Sequence, residues 1–169
     1  EPTLGRCLPQ FDPVTCEAEP VFGAFEPEIE WSAETAEEVP ECMHGITAPV
    51  VVDLTGDGAP EVVMNAVCDE AWTVGALRAF AGADGTPLWT VTDESLRLNG
   101  RTSIAAGDLD DDGRAEIVAV LTPSDSRAVA FDDDGSVLWY SRRPDGSDYV
   151  VSGFANGAPT IANLDEAGA

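Results

Sequence analysis

Lysine is absent from this sequence of 169 residues, and all eight basic residues are arginine. Against them stand 32 aspartate and glutamate residues, which give a formal net charge of −24 and an isoelectric point near 4.1. Nucleic acids and anionic membrane surfaces bind cationic protein faces, so this charge argues against both as partners. The absence of lysine also excludes Schiff-base catalysis and lysine general bases.

Long apolar runs are missing as well. No stretch of about 18 consecutive apolar residues exists, so no membrane insertion is predicted. The sequence shows no cleavable signal, and we interpret Glu1 as the start of a mature or trimmed chain. Hydrophobic residues still make up 44% of the sequence, which is enough to build the core of one ordinary domain.

Ligands for zinc are scarce, because His44 is the only histidine and no two cysteines form a C-x-x-C pair. The four widely spaced cysteines of this acidic chain suit an oxidising compartment, although four free thiols in a cytosolic protein are the alternative. Three disulfide pairings are possible. We favour Cys7 with Cys16 and Cys42 with Cys68, because Cys42 lies just before one predicted strand and Cys68 just after the next.

What the sequence does contain is a repeat. Three segments align in which an apolar run leads into a polar loop, and these loops begin at Asp53, Asp108 and Asn163. Each loop therefore starts 55 residues after the previous one. A repeat of this length is typical of a propeller blade or a solenoid turn, in which one supersecondary unit recurs.

Each repeat predicts four short strands. Two apolar runs flank the loop, a third run enters an Asp-Gly turn, and the fourth carries a Leu-Trp pair. In the first unit these runs are 49–54, 61–67, 75–80 and 88–89. In the second unit they are 104–109, 116–121, 127–131 and 138–139. Asp-Gly favours a hairpin because it tolerates positive φ. The predicted fold class is therefore all-β, with four-stranded antiparallel β-propeller blades.

Two full blades and the start of a third fit into the chain. The predicted divisions are an acidic arm containing Cys and Pro over 1–45, blade 1 over 46–100, blade 2 over 101–157 and the start of blade 3 over 158–169. Trp31 lies 22 residues before Asp53, much as later tryptophans precede later loops, so a strand near 28–33 is predicted to complete another blade. Because propellers need about four to eight blades, we expect a fragment of a larger propeller rather than a self-associating short chain.

The polar loops have the ligand spacing of calcium sites. The second loop follows the pattern D-x-D-x-D-G-x-x-E, and its predicted ligands are Asp108, Asp110, Asp112, the carbonyl of Arg114 and Glu116. The first loop supplies Asp53, Thr55, Asp57, the carbonyl of Ala59 and Glu61. Ca²⁺ takes six to eight oxygens, and the glycine allows the tight turn that gathers them. Thr55 replaces an acid, so weaker binding is expected there.

Other interpretations of these loops are less favourable. An EF-hand needs a glutamate at position 12, where the second loop has Ala119 in a strand-like run. A single acidic loop could be only an Asx turn, but two copies at the same place in a repeat favour calcium. The third loop has Ala167 in place of an acid and is not expected to bind a metal. The acidic run before Gly135 is predicted to be only a hairpin turn.

This succession of apolar strand, acidic loop and β-branched strand over residues 46–169 resembles the FG-GAP/VCBS repeats of integrin alpha chains and bacterial surface proteins. The literal family signature is only partly present, in residues 152–159. The resemblance implies a propeller, usually of seven blades, with structural calcium in the loop that joins the first two strands of certain blades. It also implies that ligands bind the opposite face or the blade-top loops.

We expect a non-catalytic calcium-binding module of an extracellular, cell-surface or periplasmic protein, acting in adhesion or assembly. No G-x-S-x-G elbow and no phosphate-binding glycine loop is present. One alternative is a carbohydrate-binding or polysaccharide-degrading propeller, for which the candidates are Trp72, Tyr140, Arg142, Arg143 and Tyr149. Another is a fragment of a quinoprotein-type dehydrogenase, because the strand pair before Trp89 is similar to the tryptophan-docking repeats of that family. Expected partners are further blades or other copies, and a protein or polysaccharide ligand.

Overall fold

The structure, a computed structural model, describes residues 26–122, 124–151 and 157–162. Within these residues the chain forms β-strands and a single 3₁₀ turn at Glu94–Leu96. The strands are β1 His44–Gly45, β2 Val50–Val52, β3 Glu61–Val67, β4 Val74–Ala81, β5 Pro87–Thr90, β6 Leu98–Asn99, β7 Ala105–Gly107, β8 Glu116–Val120, β9 Ala128–Phe131 and β10 Val137–Tyr140. The prediction of an all-β fold is confirmed.

The first sheet is built around the long antiparallel pair β3 and β4, which pair from Glu61 with Ala81 to Val67 with Gly75. Its outer positions are each divided between two short strands: β1 and β2 both pair with β3, and β5 and β6 both pair with β4. The β-branched residues of β3 favour this extended pairing. Both central strands are almost entirely buried, since structure covers both faces of the sheet.

The second sheet is a four-stranded antiparallel meander in the order β7, β8, β9, β10. The register shifts between Val137 and Trp139, where β10 departs from regular pairing with β9. The first acidic loop joins β2 to β3 in the first sheet, and the second acidic loop joins β7 to β8 in the second sheet, so the two loops hold equivalent places. Neither sheet closes on itself within the described residues.

One hydrophobic core joins the two sheets. Its buried members come from strands and connections of both: Leu54, Val63, Leu77, Ala79, Val91, Leu98, Ile104, Ile117, Ala119, Leu121, Val129 and Phe131. Val50, Val52 and Trp89 pack on its margin. Because neither sheet could bury these side chains alone, the two sheets form one packed body.

The strand predicted near residues 28–33 is not formed, since residues 26–36 carry no regular secondary structure. Trp31 nevertheless holds this segment to the first sheet. Its indole Nε1 donates a hydrogen bond of 2.8 Å to the carbonyl oxygen of Gly82. The ring lies over Gly85 of the Asp-Gly hairpin, where a Cβ would come within 2.4 Å of it. The tryptophan, rather than a strand ladder, anchors the arm.

Trp89 makes the same kind of contact one unit later. Its Nε1 donates to the carbonyl oxygen of Asp133 at 2.8 Å. The ring lies over Gly135, where a Cβ would come within 3.0 Å of it. Each of these tryptophans therefore joins its own strand or arm to the hairpin of the following unit.

A buried arginine and a disulfide hold the rest of the described arm. Arg78 of β4 donates to the carbonyl oxygens of Glu38, Val39 and Cys42. Cys42 is bonded to Cys68, as predicted. The other predicted pair, Cys7 and Cys16, lies outside the described residues, as does the third loop from residue 163 onwards.

Candidate metal centre

The second acidic loop is shaped by hydrogen bonds from its own backbone to Asp108. One carboxylate oxygen accepts from the N–H of Asp111 at 2.7 Å, and the other accepts from the N–H of Gly113 at 3.0 Å. Asp111 and Gly113 both have positive φ, 65° and 89°. Glycine adopts this conformation without steric cost, which explains its place in the motif.

Three acidic side chains converge in this loop. Asp108, Asp110 and Glu116 each place an oxygen within 4.8 Å of the others. The two aspartates are exposed, whereas Glu116, the first residue of β8, is completely buried. Its Oε2 accepts a hydrogen bond from the N–H of Leu109, but its Oε1 is buried without a hydrogen-bond partner. A buried orphan acceptor beside two carboxylates is what a bound cation would satisfy.

The electrostatics of Glu116 favour the same conclusion. Burial raises the pKa of its carboxyl, and the negative charges of Asp110, Asp108 and Asp112 raise it further, while the hydrogen bond from Leu109 acts in the opposite direction. Without a cation the site therefore disfavours the charged form of Glu116. A divalent cation would reverse this effect, since it attracts every carboxylate in the group.

The other two predicted ligands of this loop are placed differently. Asp112 is not one of the three converging acids, and one of its oxygens accepts from the N–H of Arg114 at 2.8 Å. The side chain of Arg114 forms an ion pair with Asp133 of the neighbouring hairpin, a contact that the sequence analysis did not predict. The carbonyl of Arg114 stays a predicted ligand.

The first loop repeats the scaffold of the second. Asp53 accepts hydrogen bonds from the N–H groups of Gly56 and Gly58, at 2.8 and 2.9 Å. These glycines have φ of 75° and 88° and lie 55 residues before Asp111 and Gly113, so the repeat extends to individual backbone angles.

The metal-binding potential of the first loop is weaker. Glu61 accepts from the N–H groups of Leu54 and Thr55, and it has no oxygen that is both buried and unpartnered. Asp57 accepts from the N–H of Ala59, whose carbonyl stays a predicted ligand. Across the described residues, no group of three acids in this loop comes as close as the group around Glu116. The difference follows from Thr55, which stands where the second loop has an aspartate.

Asp132, Asp133 and Asp134 form a second acidic cluster, at the hairpin between β9 and β10. Asp134 accepts from the N–H of Ser136 at 2.8 Å, which is an Asx turn. Asp133 is paired with Arg114. The prediction of a hairpin turn is confirmed, and its charge is partly offset within the protein.

The residues considered for carbohydrate binding are divided over the surface. Three of them line one pocket: Arg142, Arg143 and Tyr149. The guanidinium of Arg143 lies 5.6 Å from the centre of the Tyr149 ring. Tyr140 is instead covered by Arg127, at 4.4 Å.

Comparison with known proteins gives one structural likeness to report. No protein-family model matches the chain, and no curated protein matches it. A crystal structure of the V. cholerae biofilm matrix protein Bap1 superposes with a TM-score of 0.62 and 26% sequence identity. The match covers 75% of this chain and 22% of Bap1, so the chain spans about a fifth of that protein's length. Among the described residues, no helix has the length and apolarity needed to cross a membrane.

Proposed function

We propose that this chain is a calcium-binding, non-catalytic module of an extracellular protein, with repeat units of the β-propeller type that act in adhesion or assembly. The observation that carries the proposal is the buried, unpartnered Oε1 of Glu116 beside Asp108 and Asp110. Carboxylate oxygens in a tight loop are hard ligands, which suit calcium better than zinc or copper.

The repeat architecture supports a propeller. Two successive units each place an acidic loop between the first strands of an antiparallel series, and tryptophans link unit to unit. The resemblance to FG-GAP/VCBS repeats points to the same architecture. The ring would be completed by further units.

The extracellular setting is supported by the Cys42–Cys68 disulfide, which persists in oxidising compartments. The likeness to a biofilm matrix protein is compatible with a role in adhesion or assembly. In this role calcium is structural: it neutralises the carboxylates and fixes the connection between β7 and β8.

Isothermal titration calorimetry with CaCl₂ and with MgCl₂ tests the proposal. The chain is expected to bind calcium in preference to magnesium, because Mg²⁺ keeps its water and demands octahedral geometry. Asp108→Asn keeps an acceptor for the backbone N–H groups but removes a charge, so it should abolish calcium binding at this loop. Asp134→Asn, in the cluster that Arg114 offsets, is the matched control and should leave binding unchanged. A folded wild-type chain that takes up no calcium would refute the proposal.

A further inference from the structure

The contact between a tryptophan and the next hairpin is a specific junction. The same three ring atoms, Cδ2, Cε3 and Cζ3, lie nearest to a Cβ built on the turn glycine in both units. They belong to Trp31 over Gly85 and to Trp89 over Gly135. In both cases the indole N–H donates to a carbonyl of the same hairpin, so one side chain supplies both packing and a directed hydrogen bond.

Trp139 stands where Trp89 stands, one unit later. Both follow a leucine in the strand after an Asp-Gly turn. Trp89 is half-buried under its contact, whereas Trp139 is 43% exposed. The preceding leucines do not differ in this way, since Leu88 is 43% and Leu138 39% exposed. The difference therefore concerns the tryptophan, which is the side chain that docks.

A second pair of equivalent residues shows the same difference. Leu54 and Leu109 are each the second residue of an acidic loop, 55 residues apart. Leu54 is completely buried in the core shared by the two sheets, whereas Leu109 is 37% exposed. The first sheet has a following unit to cover these positions, and in the second sheet the same positions are open.

We propose that the surface formed by Trp139 and Leu109, here called the Trp139 face, docks a further unit of the same kind. The occupant is an Asp-Gly hairpin, with its turn glycine under the indole ring and a hairpin carbonyl accepting from Nε1. Its attached sheet covers Leu109 as the second sheet covers Leu54. This inference rests on the repeat architecture of the proposed function and adds the residues of the junction.

The occupant belongs to the same polypeptide rather than to a second copy. The side chain of Ile161 lies against Gly107 of β7, with two of its atoms 3.3 Å from a Cβ built there. The chain after the second sheet therefore returns to that sheet's first strand, where the inner strand of a third unit would begin. Two copies, each carrying a charge of −24, repel one another, which disfavours association between chains.

In a second copy, the hairpins between β4 and β5 and between β9 and β10 are also occupied already. Trp31 covers Gly85, and Trp89 covers Gly135, within the chain itself. A second copy would have to release one of these contacts to accept Trp139 on a hairpin of this kind. A following unit brings a free hairpin and needs no such exchange.

The proposal can be tested by supplying one more unit in register. The chain is extended after residue 162 by a second copy of residues 108–162, which continues the 55-residue period. In the copy, the residue equivalent to Trp139 is phenylalanine, so that four tryptophans remain. Both chains are labelled with 5-fluorotryptophan, and ¹⁹F NMR measures the shift of each signal between H₂O and D₂O, which reports exposure. Trp139→Phe and Trp72→Phe assign two of the signals.

Trp139 is expected to lose more than half of its solvent isotope shift in the extended chain, whereas Trp72, which is 53% exposed on the connection between β3 and β4, should keep its shift. Leu138→Ala is the matched control and should leave the protection intact. Alanine in place of the turn glycine of the added hairpin should remove it.

Three outcomes would overturn the proposal. The added unit could fold, by amide dispersion and circular dichroism, and leave Trp139 as exposed as before. The added unit could stay unfolded although the two original units are folded and the Trp139 face is available to it. Protection of Trp139 in the original chain that disappears on dilution would make a second copy the occupant. Measurement in calcium and in chelator separates the docking proposal from the calcium proposal. If the extended chain binds no calcium but buries Trp139, the calcium proposal fails and the docking proposal stands.

Discussion

Replacement of Glu116 by glutamine should change stability in opposite directions with and without calcium. In chelator the wild-type chain holds a buried Oε1 without a partner, close to Asp108 and Asp110. An orphan buried acceptor costs about 1–3 kcal/mol, more when it is charged. Glutamine has the same shape, can still accept from the N–H of Leu109, and can donate its amide to the neighbouring carboxylates. We therefore expect Glu116→Gln to be more stable than wild type in chelator, by about 1–2 kcal/mol.

In calcium the order should reverse. A cation at 100 times its dissociation constant adds about 2.7 kcal/mol to the wild-type chain. The variant lacks the charge that closes the ligand group and should gain little. For a chain of this size, 1 kcal/mol corresponds to roughly 2–4 °C in Tm, so the crossing is measurable by thermal unfolding followed by circular dichroism.

The advantage of the variant in chelator should also depend on pH. The pKa of Glu116 is raised above 4.5 in the folded chain, so the folded state holds its proton more tightly than the unfolded state. The stability that this tighter proton binding adds to the folded chain is fully present below pH 4.5 and is lost as the pH rises through the folded pKa. Glu116→Gln and wild type should thus differ most above this range.

Glu61→Gln is the matched control, because its carboxylate is held by two backbone N–H groups without an orphaned oxygen. It should lower stability with and without calcium. If Glu116→Gln lowered stability equally in chelator and in calcium, the argument from the orphaned oxygen would be refuted.

Two further predictions concern the hairpin and the first loop. Gly135→Ala adds a methyl group 3.0 Å from the ring of Trp89, whereas Gly146→Ala has the same positive φ and nothing within 4 Å. Backbone strain should lower the free energy of unfolding of both variants by about 1 kcal/mol, and the contact with Trp89 should lower that of Gly135→Ala by about 1 kcal/mol more. Chemical denaturation measures both values, and equal losses would contradict tight docking. Thr55→Asp supplies the acid that the second loop has as Asp110 and should tighten calcium binding at the first loop in calorimetry, whereas Thr55→Asn should not; an unchanged affinity at that loop would show that charge is not what the first loop lacks.

Much of the fold could be predicted from the sequence because its signals are local or periodic. The strands after the acidic loops follow from β-branched runs, and the hairpins follow from Asp-Gly pairs. The Cys42–Cys68 bridge followed from the order of the predicted strands. The 55-residue period made the two loops comparable residue by residue, and their backbone angles agree at the same positions.

The remaining features depend on contacts between distant residues. The segment around Trp31 was predicted to be a strand because tryptophan marks the last strand of the other units, but the side chain docks without a ladder. Arg78 is buried in a strand, and its carbonyl partners lie about 40 residues earlier in an irregular segment. The orphaned oxygen of Glu116 is likewise a result of burial. The motif predicts the ligand type but not which ligand is left without a partner.

The two loops show that shape and charge are supplied separately. Asp53 and Asp108 each accept hydrogen bonds from at least two backbone N–H groups of their own loop, and positive φ at two positions closes both turns. These contacts need no ion, so the first loop keeps the same scaffold although Thr55 removes an acid. Removal of calcium should therefore leave the second loop folded but strained by repulsion among its acids. A site organised in advance spends less binding energy on ordering the chain, which favours a structural ion that stays bound.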